Sequence, residues 1–408
     1  MARILLSAYA CEPGRGSEPA VGWNWAAELV RLGHAVTVIT RAANRPAIEA
    51  NKQQPPSLNF IYYDLPRWAQ RMRRFPAGKH LYYLLWQCLA SRMLRRRSLT
   101  AHFDLVQHVT YVSVRLPSFM GSLGLPFYFG PVSGGEAVPP ALRPGCSAGE
   151  RLRERLRDIS NRLVAYDPWL RRSFRQASRI LVTPDTMPLL PRSARHKATE
   201  TLAIGLPAHD SRGHRESRSS RSGLRLLYVG RLLEWKGVDI CLRAFQQVRR
   251  LLPETSLAIV GDGPAKSRLL KLCRQLQLEE AVTWCGWLPP EKVVQHYQSS
   301  ALLIFPSLRD SGGMVVLEAL ARELPVVCTD LGGPGLIVNR SCGRAVPTSG
   351  YTREELAHEI ARVVQEILST PGRLELLRRG AKIRARDFSF EALVRSIHPP
   401  AQARVRQA

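Results

Sequence analysis

The chain has 408 residues, is 45% hydrophobic, and carries 59 Lys and Arg against 33 Asp and Glu, a formal net charge of +26. That length and apolar content place it among globular chains with room for two domains. No apolar run reaches the roughly 18–20 residues a membrane helix needs, and the eight scattered cysteines form no C-x2-C pair, which argues against structural zinc and disulfides. A reduced, cytoplasmic protein is therefore expected. The arginine excess implies a polyanionic partner or an anionic surface, or else an Arg-rich genome and a solvated basic exterior.

The opening MARILLSAYACEPG reads as a first buried strand, Arg3 to Ala8, rather than as a signal peptide. A Gly/Pro turn follows, then a helix over Glu18 to Leu32 with Ala20, Trp23, Ala27 and Val30 on one face. Gly33 ends it, and Ala35 to Thr40 is the next strand. This β-α-β start marks a doubly wound parallel sheet. Further strands are expected at Leu58 to Tyr63, Leu105 to His108, Phe127 to Phe129, Arg179 to Thr183 and Thr201 to Ile204.

Residues 67–97 hold nine Lys and Arg among Trp68, Phe75, Tyr82, Tyr83, Leu85 and Trp86, with no acid. That mixture suits the headgroup region of an anionic membrane, or a core helix with a charged outer face. A second basic run covers Arg151 to Arg175. Residues 206–223 are polar and rich in Ser and Arg and read as a linker.

The second half restarts the pattern. Strands are expected at Leu224 to Gly230, Ser256 to Val260, Val282 to Cys285, Leu302 to Phe305 and Pro325 to Thr329. Helices are expected at Gly237 to Leu252, Ala265 to Leu276, Met314 to Glu323, Thr352 to Ser369 and Phe388 to Ile397. The stretch FPSLRDSGGMVVLEA, residues 305–319, combines a strand end, a polar turn, Gly312-Gly313 and a helix start. Free backbone N–H groups there suit a phosphate, and the carboxylates of Asp310 and Glu318 can accept from sugar hydroxyls. Upstream, VGRLLEWKG places Arg231 and Lys236 in another strand-to-helix turn, where two cations can grip a diphosphate.

Asp310 and Glu318 resemble the acid-x7-acid motif of the retaining glycosyltransferases of family 4, with Asp where Glu is usual. Gly230, Arg231, Lys236 and Gly237 resemble that family's G-R-x4-K-G signature. The resemblance implies a GT-B fold: two Rossmann-like doubly wound domains facing a central cleft. The expected division is 1–205 on the acceptor side, 206–223 as linker, 224–386 on the donor side, and 387–408 as a C-terminal helix crossing back to the first domain. It also implies retaining transfer of a sugar from a UDP- or GDP-linked donor to a glycan or lipid-linked acceptor, in cell-surface polysaccharide or glycolipid synthesis, at the cytoplasmic face of an anionic membrane.

By the same resemblance Arg231 and Lys236 hold the diphosphate and stabilise the leaving group, Glu318 holds the ribose, and Asp310 contacts the donor sugar. Gly312 and Gly313 offer backbone amides, and Gly16, in the turn ACEPGRGSEP, approaches the donor phosphate. His108 lies near the reacting sugar. That turn lacks G-x-G-x-x-G, which argues against a dinucleotide cofactor. No cofactor or metal is expected. Glu136, in the turn GPVSGGE, is a candidate on the acceptor side; GDGP, residues 261–264, resembles the turn flanking the base, with Trp287 read as core or rim packing. The alternatives are a GT-B nucleotide-sugar epimerase and, because of the charge, a nucleic-acid-binding protein. No recognition-helix, zinc-finger or RNP signature supports the latter, and no nucleic-acid partner is expected.

Overall fold

A computed structural model describes residues 1–15, 18–51, 55–207 and 224–400. The expected linker, 206–223, lies outside them except for its first two residues. The chain divides into two compact units. One comprises residues 1–135, 160–203 and 390 onward; the other comprises 136–159 and 204–389.

The first stretch of chain runs β1 (Arg3–Ser7), α1 (Glu18–Arg31), β2 (Ala35–Thr40), α2 (Arg45–Glu49), β3 (Leu58–Tyr62), α3 (Arg67–Gln70), α4 (Pro76–Arg96), β4 (Leu105–His108) and β5 (Phe127–Val132). It continues through α5 (Ala148–Leu163), α6 (Pro168–Gln176), β6 (Arg179–Val182), α7 (Arg192–Arg195) and β7 (Ala198–Glu200). All seven strands pair in parallel in the order β3-β2-β1-β4-β5-β6-β7. The order reverses between β1 and β4, so the ends of these two strands flank the switch point where α/β sheets place ligands.

Most strands of the first unit match the expected ones to within a residue or two. The expected strand Thr201 to Ile204 is corrected: β7 is Ala198–Glu200, and beyond it only the Thr201 amide still reaches the sheet, donating to the Val182 carbonyl. The expected face of α1 is also corrected. The helix buries Val21, Gly22, Trp25, Ala26 and Leu29, one residue round from the expected set. Gly22 is the cause. A Cβ there would lie 2.2 Å from the Ala10 carbonyl oxygen, so the helix turns its one position without a side chain toward the backbone after β1. Trp23 stacks instead on Phe60.

Residues 67–97 form both a core helix and a surface. Tyr82, Tyr83, Trp86, Ala90 and Leu94 of α4 are buried in the core of the first unit, while Trp68, Phe75 and Leu81 are half or more exposed. The expectation that Tyr82, Tyr83 and Trp86 face a membrane is thereby corrected: their spacing puts all three on the stripe facing the sheet. No helix among the described residues is long and apolar enough to cross a membrane.

The second unit runs β8 (Arg225–Val229), α8 (Val238–Leu251), β9 (Ser256–Val260), α9 (Lys266–Gln275), β10 (Val282–Gly286), α10 (Pro290–Ser299), β11 (Leu302–Phe305), α11 (Met314–Ala321), β12 (Val326–Thr329), α12 (Gly332–Ile337), β13 (Gly343–Val346), α13 (Arg353–Ser369) and α14 (Arg373–Asp387). Its six strands are parallel in the order β10-β9-β8-β11-β12-β13. The near-continuous apolar runs of β8, β9, β11 and β12 suit strands covered on both faces. A capping box between Thr352 and Glu355 starts α13. The last helix, α15 (Phe390–Ile397), belongs to the first unit, where Glu391 pairs with Arg31 at 2.7 Å.

The expected boundary at 205 is corrected in one respect. Residues 136–159 group with the second unit, although they precede β6 of the first. The reason is ionic. Glu154 is fully buried and pairs with Arg309, while Arg353 donates to the Leu142 carbonyl and pairs with Asp239 at 2.6 Å.

His108, at the end of β4, is buried. Its Nδ1 bonds Ser118 Oγ at 2.9 Å, and its Nε2 lies 2.9 Å from the Tyr83 hydroxyl and 3.2 Å from the Thr110 carbonyl. Burial pushes its pKa down from 6.5 to about 4 despite the Thr110 carbonyl. The folded state keeps the ring neutral where the unfolded chain already binds a proton. Stability is full above pH 6.5 and is lost as pH falls toward 4, by roughly 1.4 kcal/mol per pH unit for this one ring. Denaturant titrations between pH 7 and pH 4 should show that slope, and His108→Asn should reduce it by one proton's worth; an unchanged slope would refute the assignment.

Candidate functional site

The site in the second unit is built from two neighbouring strand-to-helix turns. The first leaves β8 through Gly230 and Arg231, makes one tight turn over Glu234–Lys236, and enters α8 at Gly237. The second leaves β11 at Pro306 and enters α11 at Gly313. Gly237 has a φ of +69°, and a Cβ there would lie 2.0 Å from the Pro306 carbonyl oxygen. Only glycine brings the two turns this close. A backbone hydrogen bond from Leu308 to the Trp235 carbonyl, 2.8 Å long, joins them further along.

Across this seam Lys236 Nζ lies 2.5 Å from Asp310 Oδ2, each side chain about one-fifth exposed. The other carboxylate oxygen of Asp310 accepts from the amides of Gly312 and Gly313 at 3.1 and 2.9 Å. Asp310 is thus held on both oxygens, one by the cation and the other by the amides that open α11. The Lys236 ammonium also sits 5.4 Å from the centroid of the Phe305 ring. Gly313 has a φ of +65°, and a Cβ on it would meet the Ile337 side chain at 2.7 Å. Glu318, half-buried on α11, accepts from the buried Tyr297 hydroxyl at 2.9 Å.

The structure therefore brings Lys236, Asp310, Gly312 and Gly313 into one contact set, with Glu318 on the helix that follows. Arg231 lies on the same turn as Lys236, with an exposed side chain that makes no ion pair among the described residues. The turn at 261–264 packs on it from behind: the Leu232 amide donates to the Asp262 carbonyl, and a Cβ on Gly261 would lie 2.0 Å from the Gly230 carbonyl oxygen. Trp287 is three-quarters exposed, which corrects its reading as core packing and leaves the rim.

The other expected residues are placed differently. Gly16 lies outside the described residues. His108, expected near the reacting sugar, is buried with both ring nitrogens bonded inside the first unit. Glu136 is buried in the second unit rather than lining the first, which corrects its acceptor-side assignment. No group of three or more His, Cys, Asp or Glu that could hold a metal ion occurs among the described residues.

Three residues that sequence reasoning missed support the site. Arg309 and Trp235 each directly precede a site residue, Asp310 and Lys236. The Arg309 guanidinium lies over the Trp235 ring, 4.1 Å from its centroid, and pairs with the buried Glu154. Glu154 also accepts from the Val138 amide at 2.9 Å. Burial, and secondarily the nearby Arg157, lowers the Arg309 pKa against the pull of Glu154. The available signal was the tryptophan and arginine flanking the two motif residues; Glu154, more than 150 positions away, left none. Removing Arg309 leaves the buried Glu154 carboxylate with Arg157, 3.5 Å away, as its remaining cation. Arg309→Met should cost on the order of 3 kcal/mol in denaturant unfolding of the second unit, and Arg309→Met with Glu154→Leu should cost less than the single change. A single-variant cost below about 0.5 kcal/mol, the level of an ordinary surface change, would show that the pair does not hold the turn.

Residues 212–378 match the family described as glycosyl transferases group 1. Among curated proteins, the chain is 32% identical over 171 residues to a D-inositol 3-phosphate glycosyltransferase of Rhodococcus jostii, covering 40% of this chain and 37% of that one. The chain thus spans less than half the length of the curated relatives it matches. Over 97% of its length it superposes on a sucrose-phosphate synthase of Thermosynechococcus elongatus, covering 97% of that chain with a TM-score of 0.58 and 18% identity. Over the same share it superposes on Alr3699/HepE of Anabaena, a structure in complex with UDP, covering 98% of that chain with a TM-score of 0.58 and 16% identity. With its two parallel doubly wound sheets the chain has the GT-B fold, and its residues 212–378 are similar to the group 1 glycosyl transferases.

Proposed function

We propose that the protein is a retaining glycosyltransferase that moves a sugar from a nucleotide diphosphate donor to a glycan or lipid-linked acceptor. The observation that carries this reading is the Lys236–Asp310 pair set against the Gly312 and Gly313 amides. One cation, one carboxylate and a helix start lie within a single seam, which suits a diphosphate joined to a polyol. Arg231 and Lys236 take the diphosphate charge, Asp310 contacts the donor sugar, and Glu318, oriented by Tyr297, takes the ribose hydroxyls. His108 acts through its bond to the Thr110 carbonyl, as a positioning residue for the loop after β4.

In the transfer, the bond from the anomeric carbon to the diphosphate oxygen breaks, and the acceptor oxygen bonds that carbon on the same face. The acceptor proton passes to the departing diphosphate. Negative charge grows on that diphosphate, so protein cations aimed at it stabilise the transition state more than the ground state. No metal takes part in this scheme.

Thermal unfolding with UDP, GDP and ADP tests the donor site. A nucleotide at a hundred times its Kd stabilises the fold by about 2.7 kcal/mol. One of the three should raise the midpoint with EDTA present, and Lys236→Ala or Glu318→Ala should abolish the rise. A rise that survives both changes would refute the site, and one that needs added magnesium or manganese would refute the metal-free scheme.

The acceptor side is proposed to work at the cytoplasmic face of an anionic membrane. Trp68, Phe75 and Leu81 are exposed beside Arg67, Arg71, Arg74 and Lys79. Apolar side chains to enter the headgroup layer, ringed by cations worth about 1 kcal/mol each near an anionic surface, suit peripheral attachment. Vesicles containing anionic lipid should sediment the protein at low salt and neutral vesicles should not. Trp68→Ala with Phe75→Ala should release it, and equal sedimentation with both vesicles would discard the electrostatic argument.

A further inference from the structure

A second basic feature of the first unit has no part in that patch. The C-terminal half of α4, the loop over residues 117–122 and α6 enclose a surface cavity of about 240 Å³. Arg92 and Arg95 reach it from one turn of α4 and Arg172 from α6, and no carboxylate lines it. None of these three side chains makes a hydrogen bond or ion pair among the described residues, whereas Arg3, Arg31 and Arg45 of the same unit are all paired.

The cavity floor is hydrogen-bonded. Ser118 is buried and bonds His108 Nδ1 at 2.9 Å, and its amide donates to the buried Ser173 Oγ at 3.0 Å, which ties the loop to α6. One wall is aromatic: Phe119 and Trp169 lie with ring centroids 6.0 Å apart, and Trp169 is more than half exposed. Arginine forks match phosphate oxygens in pairs. Three uncompensated guanidiniums around one hollow repel each other, and an anion seated among them removes that repulsion. The volume suits a headgroup-sized ligand and is below the usual range for larger ones.

We propose that this cavity binds a phosphate-bearing anion. Arg92, Arg95 and Arg172 hold the phosphate, and the group it esterifies lies against Phe119 and Trp169. The site is separate from the donor turns of the second unit and from Trp68 and Phe75, so it stands whether or not the sugar-transfer reading does. Its phosphate comes either on a lipid headgroup or on a soluble ester, and two arms distinguish these.

The first arm titrates glycerol 1-phosphate into the full-length protein by calorimetry at low salt, with glycerol as control. The second sediments the protein with neutral vesicles carrying phosphatidic acid or, at equal charge, phosphatidylglycerol. Each arm uses the parent protein, Arg92→Gln/Arg172→Gln, and Arg250→Gln/Arg274→Gln, two exposed arginines of the second unit, as an equal loss of charge elsewhere; thermal midpoints check folding. The cavity variant is expected to weaken the ester at least tenfold, or to abolish a preference for phosphatidic acid, while the control variant changes either by less than twofold. An effect in the first arm identifies a soluble ester; an effect confined to the second identifies a lipid. Equal losses in both double variants, or no loss in either, would overturn the proposal, the first outcome meaning that only overall charge matters.

Discussion

The close approach of Gly237 to Pro306 is the constraint on which the candidate site depends. Two parallel strands, β8 and β11, lie side by side at the switch point of the second sheet. Their turns would ordinarily keep apart by at least a side chain. With a Cβ excluded at Gly237, the backbones touch, and Lys236 reaches Asp310 across the gap. The Trp235–Arg309 stack, one residue earlier in each turn, forms on the same seam. An alanine at 237 would need both a left-handed backbone and a displaced Pro306, so the seam would open as a unit rather than lose one contact.

The seam also explains which parts were legible in the sequence. Strand-turn-glycine-helix patterns are local, and β8, β9, β11 and α11 stand within a residue or two of where hydrophobic runs and glycines placed them. Both motifs were placed in strand-to-helix turns, but the ion pair between Lys236 and Asp310 was not foreseen. What stayed hidden depends on tertiary contact. The rotation of α1 was set by Gly22 meeting the Ala10 carbonyl, not by the helix's own apolar period. The burial of Tyr82, Tyr83 and Trp86 depended on which stripe of α4 met the sheet, and composition alone could not separate a core aromatic from a surface one. His108 was visible as a strand-end histidine; that both its nitrogens are occupied depends on Tyr83, Ser118 and Thr110, of which only the last is local.

Residues 136–159 show the same limit at the scale of domains. A segment whose sequence reads as part of the first half joins the second unit, where its buried Glu154, already beside Arg157, also pairs with Arg309. Buried carboxylates are costly without a partner, and this pair adds to the Arg353 bond to the Leu142 carbonyl and the Ser147 amide bond to Glu234 in holding the segment. The same pair supports the residue next to Asp310. The second unit thus takes structural support for its candidate site from chain that precedes β6.

The net charge of +26 takes on a more specific meaning against this background. A purely compositional excess would leave arginines scattered, each solvated or paired as chance allows. Many are paired: Arg309, Arg353, Arg362 and Arg384 in the second unit, and Arg3, Arg31 and Arg45 in the first. The arginines around the α4–α6 cavity are not, and they converge on one concave place with an ordered polar floor. A neighbouring hollow shares Arg172 and adds Arg171, Arg175 and Lys197, again with no acid in its lining. Uncompensated charge that is concentrated rather than dispersed keeps a repulsive cost in the free protein, and that cost is returned as affinity when an anion arrives. On this argument the arrangement of the arginines, more than their number, indicates an anionic ligand.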